Sequence, residues 1–149
     1  MTDATCFSCA QDAVHDPPPR DQVLVTEHWR VAHAFDSSLL GWLVVAPRRH
    51  VLALSELSSA EATELGPLLV DLSRGLERAA GCTKTYLMQF SEAEGFSHLH
   101  MHVVPRMPDQ PETERGPRVL SRLGHDSPVR VSAPEMDRVA TAVRAAVNR

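Results

Sequence analysis

The sequence predicts an α+β fold: an antiparallel sheet of about five strands with one long helix and a second helix at the C-terminus. Three observations carry that expectation. Short β-branched and apolar runs are separated by turn residues; "SSAEATELGPLLVDLSRGLERAAG" has helical apolar spacing with signals at both ends; and "SAPEMDRVATAVRAAVNR" closes the chain with a second amphipathic pattern. The 149 residues, 43% of them hydrophobic, suit a single domain over 1–149 with enough apolar side chains to close its own core. A net charge of -4 argues against a broad electrostatic grip on nucleic acid or an anionic membrane, while leaving room for a small anionic ligand at a local site. No apolar run approaches the length of a membrane span, and "MTDATCFSCAQDAVHDPPPR" is too polar for a secretory signal, so a cytoplasmic protein is expected.

Taken in order, residues 1–20 form an arm ending in "DPPPR", where consecutive prolines forbid helix and force an extended backbone. "VLVTEHWRVAHAF", from Val23 to Phe35, reads as two strands of a hairpin. "DSSLLG" turns the chain, and "WLVVAP", from Trp42 to Pro47, is a short continuous apolar run that suits a central strand. The long helix opens on a capping box of Ser58 and Glu61. It carries Leu65, Leu68, Leu69, Leu72 and Leu76 at helical spacing and stops at Gly81. Gly66-Pro67 conflicts with that pattern and predicts a kink, or a helix that begins in earnest at Pro67. "KTYLMQF", Lys84 to Phe90, is a further strand, "SEAEG" a turn, and "HLHMHVV", His98 to Val104, a strand closed by Pro105. Residues 107–131 lack periodicity and read as an irregular loop. A second capping box, Ser132 with Glu135, starts a helix over 132–149 with its stripe at Met136, Val139, Val143 and Val147.

Chemistry concentrates in "HLHMHVV". Side chains alternate faces along a strand, so His98, His100 and His102 share one face at about 7 Å spacing, while Leu99, Met101 and Val103 enter the core. An apolar strand would stabilise the fold better without three imidazoles, which points to function. Two routes are open. Alternating histidines can chelate one metal and leave a position for water, or one imidazole can act as a nucleophile, with phosphorus its natural target, aligned by its neighbours.

Cys6 and Cys9 form a second constellation. One turn of C-x-x-C brings two thiolates to the roughly 3.5 to 4 Å separation that tetrahedral zinc requires. A redox pair normally opens a helix beside a strand, whereas this pair lies in a polar arm before prolines, so structural zinc is the preferred reading. Two further ligands are needed, and His50 and one end histidine of the triplet are the available candidates. Cys82 reads as a buried thiol, and His15, His28, His33 and His125 show no partner pattern.

The triplet, His98-Leu99-His100-Met101-His102-Val103-Val104, with Pro105-Arg106 after it, resembles the signature of the histidine triad superfamily. The upstream "GWLVVAPRRHV" and the "CFSC" near the start resemble two further segments of its zinc-bearing members. That resemblance implies a histidine triad fold and a nucleotide hydrolase or nucleotidyl transferase attacking an α-phosphate. Its substrate would be a dinucleoside polyphosphate or a nucleoside phosphoramidate. It implies His100 as the nucleophile of a nucleotidyl-histidine intermediate, His102 as its support at the phosphate, and Asp36 as a ribose contact. It also implies Cys6, Cys9, His50 and His98 as a closed, structural zinc site, and a homodimer. Two departures stand out: Trp42 replaces a fourth active-site histidine, and Glu94-Gly95 replaces the polar pair that normally leads into the triad. The competing readings are a nucleotide-binding or sensing protein with little turnover, and a hydrolase with an open metal site on the histidine strand.

Overall fold

The computed structural model describes residues 5–124 and 129–147. The hairpin region folds as β1 (Leu24–Val25) and β2 (Trp29–His33), followed by β3 (Leu43–Pro47), β4 (Lys84–Gln89) and β5 (Met101–Arg106). They form one antiparallel sheet in the order β1-β2-β3-β5-β4, so β5 inserts between β3 and β4. This insertion places the end of the histidine segment inside the sheet, beside its edge strand, with Val44 and Met88 flanking His102 in register.

One face of the sheet packs on the long helix α2 (Ser59–Ala80) and the C-terminal helix α3 (Ala133–Val147). Leu68, Leu72 and Leu76 of α2 and Val139 and Val143 of α3 are buried there with Val31, Val45, Met101 and Val103. The two helices approach closely at Gly75, where an added Cβ would stand 3.3 Å from Val143 and Val147 methyl groups. Both expected capping boxes are present: Ser58 with Glu61 on α2, and Ser132 with Glu135 ahead of α3. Helix α2 starts at Ser59 rather than at Pro67 and runs through the proline. Thr63, whose carbonyl loses its bond to the missing N–H, is exposed, so water satisfies it and the helix continues.

Glu61 does more than cap. It is 3% exposed, takes two 2.9 Å hydrogen bonds from the Arg49 guanidinium and accepts the Ser58 N–H at 2.7 Å. The Arg49 contact, outweighing burial, holds its carboxyl down at about 2. Because the folded pKa lies below the ordinary value, the stabilisation is complete above about pH 4.5 and is lost as pH falls toward 2. Glu61→Ala should therefore cost about 2–4 kcal/mol at pH 7 and much less near pH 3, measured by urea unfolding at both pH values. An equal cost at the two pH values would contradict this account.

The opposite face of the sheet carries a smaller core of Ala34, Leu39, Trp42, Val104 and Val119, with Tyr86, Met88 and Leu123 against it. Its cover comes from the segment expected to be an irregular loop. That segment forms 3-10 turns at Glu112–Glu114 and Gly116–Arg122, and Val119 is fully buried. Arg122 fastens it: its guanidinium donates to the Ser38 hydroxyl and carbonyl and pairs with Glu114 at 2.7 Å, while its carbonyl accepts the Ser38 N–H. Periodicity could not reveal this cover because its anchors are single residues in turns.

Three further expectations need correction. The arm contains a short helix, α1 (Phe7–Asp12), with Cys6 at its N-cap position. Strand β5 begins at Met101, not His98, because the His100 N–H donates to the Ser91 hydroxyl at 3.0 Å instead of to a neighbouring strand. Pro105 does not close the strand; β5 continues to Arg106, whose carbonyl accepts the Thr83 N–H. Among the described residues, no helix is long and apolar enough to cross a membrane.

Candidate active site and metal centre

Two adjoining centres are built on the histidine segment. In the first, Cys6, Cys9, His50 and His98 bring four donor atoms within 4.8 Å of one another. Cys6 Sγ lies 3.4 Å from His98 Nδ1, Cys9 Sγ lies 3.3 Å from His50 Nδ1 and 3.6 Å from His98 Nδ1, and the two Nδ1 atoms are 3.2 Å apart. A tetrahedral zinc ion, with bonds of about 2.3 Å to sulfur and 2.0–2.1 Å to nitrogen, separates its sulfur and nitrogen ligands by roughly 3.5 Å and its nitrogens by about 3.3 Å. The observed spacings match those edges. The His98 Nε2–H donates to the Pro47 carbonyl at 2.8 Å, which leaves the Nδ1 lone pair pointing into the cluster. A cation held between the two Nδ1 atoms would engage both rings, and a thiolate and imidazole donor set suits zinc. Four protein donors would leave no open coordination position, as in a structural site.

Each donor reaches the cluster by a different local device. Cys6 occupies the N-cap position of α1 and Cys9 sits in its first turn, both buried; His50 follows the end of β3; His98 lies at a bend just before β5. The C-x-x-C does open a helix, which the sequence reasoning associated with redox pairs, but its thiols face two imidazoles rather than each other's disulfide.

The second centre is the pair His100 and His102, whose rings stand 5.0 Å apart, centre to centre, at 75°. His100 Nδ1–H donates to the His98 carbonyl at 2.8 Å, so its Nε2 carries the lone pair. At His102 the arrangement is reversed. The Trp42 indole N–H donates to its Nδ1 at 2.9 Å, and since indole nitrogen is only a donor, the imidazole proton sits on Nε2. Burial, helped by the neighbouring His100, pushes His102 down to about 4, so it is neutral at physiological pH. One ring thus offers a nucleophilic nitrogen and the next an N–H donor.

Two contributors were missed in the sequence. Ser91, within "SEAEG", is a hub: its hydroxyl accepts the His100 N–H and the Gln89 side-chain amide, each at 3.0 Å. It holds φ at +56°, a conformation uncommon outside glycine, and no sequence signal announces a serine in that role. Phe7, Phe35 and Phe96 form an aromatic group with ring centres 5.1–6.0 Å apart, although they come from the arm, the end of β2 and the approach to the triad. Asp36 follows Phe35 in a turn; its carbonyl accepts the Gly124 N–H, and none of the described contacts joins its carboxylate to the imidazoles.

The remaining residues behave as ordinary structure. His33 is a satisfied core histidine, donating to the Ala34 carbonyl and accepting the Gly41 N–H; burial lowers its pKa. His28 pairs with Glu64, Cys82 is buried with its thiol pushed up, Glu94-Gly95 is an exposed turn, and His125 lies outside the described residues. A surface cavity lined by Val14, Asp16, Leu24 and Arg144 contains no histidine or cysteine, and its Arg144 is already bonded to the Gln22 and Val23 carbonyls.

The fold recurs in solved structures. A zinc-bound histidine triad family protein from Mycobacterium smegmatis superposes with a TM-score of 0.69 over 96% of this chain and 93% of its own, at 17% identity. A hypothetical histidine triad nucleotide-binding protein from Sulfolobus tokodaii gives 0.71 over 96% and 92%, at 15% identity. The chain has the histidine triad fold. A uridylyltransferase shares it too, with a TM-score of 0.65 and 18% identity over 96% of this chain and 45% of that one. No sequence family model and no curated protein matches the chain. Within the histidine triad fold the four-donor cluster is suited to zinc, as the zinc-bound neighbour would suggest.

Proposed function

We propose that this chain is a nucleotide hydrolase or nucleotidyl transferase acting at an α-phosphate, with His100 as nucleophile. The observation that carries the reading is the opposed protonation of the paired rings: a lone pair on His100 Nε2 beside a proton on His102 Nε2. His100 Nε2 attacks phosphorus and forms the N–P bond as the bond to the leaving group breaks. The positive charge on the substituted ring is held through Nδ1–H by the His98 carbonyl, while His102 Nε2–H donates to a non-bridging oxygen. Water, or another acceptor, then forms its bond to phosphorus and gives up its proton to solvent as the N–P bond breaks and the electron pair returns to Nε2. Asp36 would take the ribose hydroxyls, and the adjoining Phe7, Phe35 and Phe96 offer aromatic surface to a base.

Cys6, Cys9, His50 and His98 would hold zinc, which ties the arm to the sheet and fixes His98 and hence the carbonyl behind His100. An open metal site on the triplet has less support, since His98 turns to the cluster and both other Nδ1 atoms are engaged. The test is intact-protein mass spectrometry after mixing with dinucleoside polyphosphates and nucleoside phosphoramidates. A nucleotidyl adduct with turnover is expected; tight binding with neither would favour a sensing role.

A homodimer is part of this proposal. Strand β4 is a sheet edge, and Leu87 on it, Phe90 just after it and Val70 on α2 are 58%, 57% and 48% exposed. Val70 and Leu87 flank the Ser73–Thr85 hydrogen bond that joins helix to strand, so they continue one apolar surface, which a second copy would cover by edge-to-edge pairing. Leu87→Glu with Phe90→Glu should convert a dimer to monomer in analytical ultracentrifugation; an unchanged mass would place the interface elsewhere.

A further inference from the structure

We infer that Trp42 is a positioning residue that locks His102 as an Nε2–H donor and thereby restricts the site to substrates whose leaving group departs as an anion. The inference rests on the reading of His100 as the nucleophile at phosphorus. Trp42 is fully buried between Leu39, Val104 and Val119, and its ring meets His102 edge-on at 87° with centres 5.8 Å apart. Its indole is therefore held by packing, and its N–H has one aim. The in-register neighbours of His102 are Val44 and Met88, neither of which exchanges protons, so among the described residues Trp42 sets the tautomer.

An indole N–H donates but does not accept or relay a proton. For His102 to protonate a leaving group from Nε2 it would have to gain a proton at Nδ1, where the indole hydrogen stands in the way, or become an anion. His100 cannot serve either: its Nε2 is forming the N–P bond and its Nδ1–H is held by the His98 carbonyl. In the turn before the triad Gly95 brings no side chain, and Glu94 is exposed with no described contact to either ring, so neither is placed to supply the proton. The step thus balances without a proton when the P–O bond breaks and its electron pair leaves on a phosphate oxygen, already a stable anion. It does not balance for a P–N bond, whose amine must be protonated as it departs. The geometry therefore selects phosphoanhydrides over phosphoramidates.

The test has two arms. Nitrogen-15 NMR of histidine-labelled protein should show His102 with a bare Nδ1 and a protonated Nε2 in the unmodified chain, and a shift toward mixed tautomers in Trp42→Phe. In kinetics, a dinucleoside polyphosphate should exceed a nucleoside 5′-phosphoramidate in kcat/KM by at least about 100-fold. Trp42→Phe should lower kcat about 10- to 100-fold with little change in KM, and Trp42→His, which restores a donor that can also relay, should recover kcat and narrow the substrate ratio about tenfold or more. A wild-type His102 protonated at Nδ1, or a ratio indifferent to Trp42→His, would overturn the inference; the first needs no variant to fold. Turnover of neither substrate would overturn the functional reading instead, while the tautomer measurement still decides the lock.

Discussion

Cys9→Ser, or exhaustive chelation, is expected to remove the metal and lower the melting temperature by about 10 °C or more. Cys9 reaches both imidazoles of the cluster, 3.3 Å from His50 and 3.6 Å from His98, and it is 4% exposed. A structural zinc contributes its binding energy directly to folding, and a loss of several kcal/mol is worth about 2–4 °C per kcal/mol in a chain of this size. What the metal holds also has few other ties. Helix α1 is six residues long, far below the length at which a helix persists alone, and Arg48–Asp12 is an exposed ion pair of little weight. Phe7 should then leave the aromatic group, so nucleotide affinity should fall alongside stability. Calorimetry with metal analysis checks this; a variant that keeps one equivalent of zinc, or melts unchanged, would contradict the assignment of the cluster.

His100→Asn should reduce turnover by at least about a thousand-fold and eliminate the covalent adduct, while nucleotide still binds. The side chain is half-buried and outside both apolar cores, so the exchange should leave the fold intact. Its backbone N–H would still meet Ser91, and the four metal donors are untouched. Loss of the nucleophilic nitrogen then remains as the sole large change. Isothermal calorimetry for binding and mass spectrometry for the adduct separate the two effects; an adduct persisting in the variant would move the nucleophile to another residue.

Much of this was legible in the sequence where a local rule spoke with one voice. The capping boxes at Ser58 and Ser132, the leucine spacing of α2 and the alternation that buries Met101 and Val103 all follow from periods fixed by backbone geometry. The metal cluster was legible because thiols and imidazoles are conspicuous. Features that depend on long-range closure were not. The Trp42 indole on His102 joins residues 60 positions apart, and the Arg122 clamp on Ser38 spans 84. The place of His100 outside the strand depends on a serine hydroxyl nine residues back, which competes with the ladder for one N–H. From sequence Trp42 reads only as the loss of a fourth active-site histidine; the fold shows that its indole N–H donates to His102.

The separation of the metal donors along the chain bears on the order of events in folding. Cys6 and Cys9 can hold an ion weakly in the unfolded chain, but His50 lies 41 positions beyond Cys9 and His98 lies 89 beyond it. Closing those loops has an entropic cost that the sheet, by pairing β3 with β5, must meet before the third and fourth ligands can arrive. Full coordination therefore belongs to the late side of the folding barrier. The metal should slow unfolding far more than it speeds folding, so that zinc acts on this protein chiefly as a determinant of its lifetime.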